Sequence, residues 1–149
     1  MYKKFKVILW LLSLVFIVVL SVESGKKEVS AKTDDFIIKD GVLIEYLGTE
    51  KEIDIPRGIY AIGAGAFKGC AIEKVTIPEG VEKIETEAFE DCTNLKEIIL
   101  PEGILYFGFY SFRNCSSLEF IDLPESLYFI GGGCFENCSS LDTILFPTQ

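Results

Sequence analysis

Five prolines fall at near-constant intervals along the chain: Pro56, Pro78, Pro101, Pro124 and Pro147, spaced by 22, 23, 23 and 23 residues. Eleven residues after each of the first four stands a phenylalanine (Phe67, Phe89, Phe112, Phe135), and fourteen after each a cysteine (Cys70, Cys92, Cys115, Cys138). Six after each comes Ile62, Ile84, Phe107 or Ile130. Further apolar columns run through Leu95, Leu118 and Leu141, then Ile98, Ile121 and Ile144, then Leu100, Leu123 and Phe146. Ile72, Val75 and Ile77 take these places in the first repeat after a one-residue deletion. Self-similarity at such a period means a stack of supersecondary units, because one unit cannot bury its own apolar face and must share it with the next.

Each period reads as one coil. Leu95, Ile98 and Leu100 hold the L-x-x-I-x-L places of a leucine-rich strand, with Ile98 and Leu100 two apart and facing inward. The proline that follows ends the strand without breaking its ladder. Val81 and Ile84 suggest a second short extended segment. Phe89 and Cys92, three apart, predict one face of a helical turn over Glu87 to Cys92, and Asp91, Asn114 and Asn137 are turn-tolerant residues that would end it. Residues 36–47 carry two apolar runs around Asp40-Gly41, a dipeptide suited to a type I′ hairpin turn.

The pattern Ile77-Pro78-Glu79-Gly80-Val81-Glu82-Lys83-Ile84, Ala88-Phe89-Glu90-Asp91-Cys92 and Leu95-Lys96-Glu97-Ile98-Ile99-Leu100, with its counterparts from Phe36 to Pro147, resembles the BspA-like leucine-rich repeat family. The resemblance implies a surface or secreted bacterial or protozoan protein, often adhesive, with no catalysis. The predicted architecture is a β-rich α/β solenoid: a leucine-rich repeat array of four coils of about 23 residues over 56–149, behind a linker and N-terminal β-hairpin cap over 32–55. No polar terminal repeat follows Phe146, although such arrays normally need terminal caps; the sequence reads either as a short array with an open last coil or as a piece of a longer one.

Residues 1–31 are of another kind. Lys3, Lys4 and Lys6 precede a mostly apolar run over 7–22, 16 residues long, or ~24 Å as a helix. That is short for a membrane span and slightly long for a signal-peptide core. Val22-Glu23-Ser24 and Val29-Ser30-Ala31 both suit cleavage. A cleaved signal and an uncleaved N-terminal anchor therefore both stand, and either sends the remainder out of the cytoplasm. From residue 32 onward, nine basic against twenty-one acidic residues leave a net charge of −12. Such a domain repels anionic membranes and nucleic acids, so the membrane is met only through the N-terminal segment.

The chain has no histidine, which excludes Ser-His and Cys-His nucleophiles and histidine-ligated metal sites. The carboxylates are scattered: Glu82, Glu85 and Glu87 alternate with buried columns and read as a solvated face. Gly131-Gly132-Gly133 lacks the Lys-Ser/Thr and helix of a phosphate loop. No cofactor, metal or catalytic residue is expected. The cysteines stack in one column one coil apart, ~4.8 Å, with parallel Cβ directions that do not suit a disulfide; Cys134 takes the small-residue column of Ala66, Ala88 and Ser111. All five read as buried reduced thiols.

The third repeat departs from its neighbours with Ile104-Leu105-Tyr106-Phe107-Gly108-Phe109-Tyr110-Ser111-Phe112. Leu105, Tyr106, Phe109 and Tyr110 occupy outward columns, together with Tyr60, Tyr128 and Phe129. On the strand side Ile99, Phe120 and Leu145 do the same. We take Tyr106, Phe109, Tyr110, Tyr128, Phe129, Ile99, Phe120 and Leu145 as one contiguous apolar patch and the candidate partner-binding surface, since exposed aromatics anchor interfaces. The expected partner is a protein, secondarily a glycan, met at or outside the cell surface. The alternative is a structural spacer, or a fragment of a longer array, that self-associates through the open Leu141–Phe146 edge.

Overall fold

The computed structural model describes residues 33–146; the apolar N-terminal run, with its reading as signal or anchor, and Pro147 lie outside the described residues. After a single 3₁₀ turn at Thr33–Asp35, eleven short strands follow in order: β1 Phe36–Lys39, β2 Val42–Tyr46, β3 Glu52–Asp54, β4 Ala61–Ile62, β5 Lys74–Thr76, β6 Lys83–Ile84, β7 Glu97–Ile99, β8 Tyr106–Phe107, β9 Phe120–Asp122, β10 Phe129–Ile130 and β11 Thr143–Leu145. Among the described residues there is no α-helix, and no helix long and apolar enough to cross a membrane.

The strands stack into a β-solenoid with two strand columns. One is a six-stranded sheet in the order β1-β2-β4-β6-β8-β10, parallel except for the antiparallel β1–β2 pair. The other column splits into β3-β5-β7 and β9-β11. Register follows the sequence columns: Ile62 faces Ile84 and Ile84 faces Phe107, while Val75 faces Ile98 and Ile121 faces Ile144.

Two sequence-based expectations change here. The solenoid has about five turns rather than four, because residues 42–54 contribute one: β2 pairs in parallel with β4 and β3 with β5. This turn lacks the proline, phenylalanine and cysteine that mark the others, and Leu43, Tyr46 and Ile53 fill its core positions. The helical turn over Glu87 to Cys92 is also absent. Asp91, Asn114 and Asn137 sit at φ near 60°, as does the residue four after the first position of β6 or β8, Glu87 or Tyr110 (φ 58° and 59°). Left-handed residues at both ends of so short a segment close turns in place of a helix. The Phe–Cys spacing of three is satisfied by a tight turn in which the Cys92 N–H bonds the Phe89 carbonyl at 3.2 Å.

The core is a continuous aromatic column. Phe36, Tyr46, Phe67, Phe89, Phe112 and Phe135 follow one another with ring centroids 4.8–5.6 Å apart. From Phe67 onward the rings lie parallel, within 9°. Beside it run the thiols. All five cysteines are free, and Cys92, Cys115 and Cys138 each donate from Sγ to the phenylalanine carbonyl of the preceding turn, at 3.0, 3.2 and 3.1 Å. The column thus wants a small side chain with a weak donor. Burial pushes the Cys92 and Cys134 thiols up to about 12, so they are protonated and unreactive near neutrality.

Candidate functional site

The exposed aromatics of the last two turns owe their positions to glycines. Gly108 and Gly131 lie where a Cβ would come within 2.3 Å of the Thr86 N and 2.5 Å of the Phe109 N in the turn before. Only glycine allows that backbone approach. At Gly132 an added Cβ would rest 3.6 Å from the Phe109 ring, and at Gly133 it would fall 2.3 Å from the Tyr110 ring. The Gly131-Gly132-Gly133 cluster is therefore the floor on which Phe109 and Tyr110 of the preceding turn lie flat. Tyr60 lies over Gly41 in the same way, 2.9 Å from where its Cβ would be.

On the six-stranded sheet Tyr106 of β8 stacks on Phe129 of β10, centroids 4.9 Å apart and rings 6° from parallel, as the Tyr106–Phe129 register requires. Phe109 meets Phe129 edge-on at 6.2 Å. The Arg113 guanidinium sits 4.5 Å over the Tyr110 ring, a cation–π contact that holds the tyrosine. Phe109 and Tyr110 keep 48% and 36% of their surface exposed, and Tyr128 keeps 89%. Tyr106 and Phe129 are half-buried by each other.

Ile99, Phe120 and Leu145 are also exposed, but on the outer face of β7, β9 and β11. These belong to the other strand column. The eight residues taken as one patch thus form two surfaces, because the residues that share outward columns in sequence lie on different sides of each turn. Core columns also lose their cover in the last turn: Ile130, Ile144 and Phe146 are exposed, since no further described turn packs on them.

Ionic ladders, which sequence reasoning did not single out, bind the earlier turns. Glu73 takes Lys51 at 2.6 Å and Lys96 at 2.9 Å, and hydrogen bonds from these two lysines hold its carboxyl at about 2. Lys74 pairs with Glu97 at 2.8 Å. Glu90, 1% exposed, is gripped by Lys68 at 2.5 Å and by Arg113. The signal was present as sign alternation one period apart, in Lys51–Glu73–Lys96–Glu119 and Lys68–Glu90–Arg113–Glu136. An amide ladder runs beside it: Asn137 donates to Asn114 at 2.8 Å and Asn114 to Asp91 at 2.6 Å. No group of three or more His, Cys, Asp or Glu residues able to hold a metal occurs among the described residues.

A family model described as a BspA type leucine rich repeat region, in 6 copies, matches residues 45–149. The chain belongs to the BspA-type leucine-rich repeat family. Solved structures agree with this assignment. A leucine-rich repeat protein from Bacteroides capillosus is 26% identical with a TM-score of 0.69, over 79% of this chain and 98% of that one. A leucine-rich repeat protein of T. pallidum, 24% identical with a TM-score of 0.66 over 77% of this chain and 70% of that one, shares the fold. A leucine-rich cell surface protein from Faecalibacterium prausnitzii is 28% identical with a TM-score of 0.55; the match covers 72% of this chain but 35% of that one. No curated protein matches the sequence. The family assignment is a statement about a repeat scaffold, and function has to be argued from its surfaces.

Proposed function

We propose that this BspA-type repeat protein is a non-enzymatic binding or adhesion module, working at or outside the cell surface, whose partner contacts lie on the aromatic face formed by Tyr106, Phe109, Tyr110, Tyr128 and Phe129. The observation that carries this reading is the exposure of those rings on a rigid support. Their backbones are locked by stacked turns, and glycines under Phe109 and Tyr110 and the Tyr106–Phe129 stack fix four of the five rings, so little side-chain entropy remains to be lost there on binding. The export character of residues 1–31 and the cell-surface relative support the location. The β1–β2 hairpin, with Asp40 and Gly41 both at positive φ, acts as the N-terminal cap of the array.

The test is binding of the purified chain to immobilised extracellular proteins and glycans, for the parent and for Phe109→Ser with Tyr128→Ser. Loss of retention with an unchanged melting temperature supports the face; retention equal to the parent's removes it. A second reading, self-association through the last turn, rests on the exposed Ile130, Ile144 and Phe146. It requires a concentration-dependent mass in sedimentation that disappears in Ile144→Lys.

A further inference from the structure

The second surface carries an inference of its own. Along the β3-to-β11 column, backbone bonds at the corner link successive turns: Ile55 to the Thr76 carbonyl at 3.1 Å, Ile77 to Ile99 at 2.9 Å and Leu123 to Leu145 at 3.0 Å. Between β7 and β9 the ladder is interrupted and the two strands belong to separate sheets. A cleft of about 230 Å³ opens at this seam, lined by Glu97, Ile99, Glu102, Phe120 and Asp122 among others. A larger hollow of about 450 Å³ adjoins it at Ile99 and Leu100 and extends past Pro78 and Glu79.

The charges here depart from the alternation seen elsewhere. The residue after each corner proline is Arg57, then Glu79, Glu102 and Glu125: three carboxylates in succession, one turn apart. Like charges stacked at ~4.8 Å repel, and none of these three, nor Asp122, has an ion-pair partner among the described residues. Beyond Glu97, up to Phe146, the sequence holds one basic residue, Arg113, against six acidic ones, and Arg113 is committed to Glu90. After Lys74 and Glu97 their column continues with exposed Phe120 in place of a cation, and Leu145, beside Asp122, is exposed as well.

We propose that this corner groove docks an extended, arginine- and lysine-bearing segment of a partner protein. A cationic head seats between Glu102 and Asp122, beside the Lys74–Glu97 pair, while its aliphatic stem lies on Ile99 and its charge meets the Phe120 ring. Charge complementarity selects the occupant: an acidic segment, and a second copy of this acidic chain, are repelled from the same place. The groove lies on the opposite strand column from the aromatic face, so it adds a second contact of stated chemistry to the binding reading, and the two fail separately.

The experiment is fluorescence anisotropy of the full chain with a labelled peptide of alternating arginine and valine, and with the glutamate–valine counterpart. The arginine peptide binds, more weakly as salt rises, and the glutamate peptide does not. Glu102→Gln with Asp122→Asn weakens binding by about tenfold or more without lowering the melting temperature, while Tyr128→Ser leaves it unchanged. Parent-like affinity in the double variant overturns the proposal. So does an equal loss in Glu45→Gln with Glu82→Gln, which changes the overall charge equally but lies outside the groove.

Discussion

The turns up to Glu97 and the turns after it are built to one backbone plan but finished differently. In the earlier turns the outward columns hold lysine and glutamate in alternation, closed into ladders through Glu73, Glu90 and the Lys74–Glu97 pair. In the later turns Phe120 follows Glu97, Tyr106 and Phe129 follow Lys83, and Leu145 follows Asp122, beside carboxylates without cations. Both solutions keep the backbone stack, since the strands of the six-stranded sheet pair without interruption from β2 to β10. The outward columns are therefore free of the folding constraint. The first half spends them on mutual neutralisation, and the second leaves them open to solvent and to partners.

Substitutions sharpen this contrast. The largest effect belongs to the shared core: Phe89→Ala, stacked on both sides and fully buried, should cost about 4 kcal/mol in chemical denaturation. Phe135→Ala, stacked on one side only among the described residues and half-buried, should cost less than half of that. Equal losses would mean that the last turn is as tightly held as the middle ones. Gly108→Ala, which drives a Cβ into the Thr86 backbone, should cost about 3 kcal/mol, whereas Ala at Gly103, with open space but φ of 98°, should cost about 1 kcal/mol.

The ladders should make stability depend on pH. Glu73 titrates at about 2 in the folded chain, below the ordinary value of about 4.3. Its contribution is therefore complete above the ordinary carboxylate range and is lost as pH falls toward 2. Melting temperatures followed from pH 7 to pH 2 should fall less steeply in Glu73→Gln, and a parallel fall would deny the ladder its role. The smallest effect is expected on the aromatic face, where Tyr128→Ser should change stability by less than about 0.5 kcal/mol. Finally, thiol labelling separates fold from unfolded chain: the raised Cys92 and Cys134 thiols should resist alkylation at pH 8 in the native state, while all 5 cysteines react in denaturant.

The repeat, its register and nearly all of its core were legible in the order of residues alone. Columns of Pro, Phe and Cys at a constant period admit few arrangements other than stacked turns, since each apolar residue needs the next turn to cover it. That order also marked the aromatic residues of both candidate surfaces. The first turn escaped notice because Leu43, Tyr46 and Ile53 do the work of the columns without their hallmark residues. The absence of a helix at Glu87 to Cys92 was equally hidden, because a spacing of three suits a turn with left-handed ends as well as a helix. The folded chain alone reveals which outward columns share a side of the turn, that glycines lie under Phe109 and Tyr110, and that the strand ladder parts between β7 and β9. These depend on the path of the chain around each turn and on the fit between neighbouring turns, distances that a one-dimensional period does not carry.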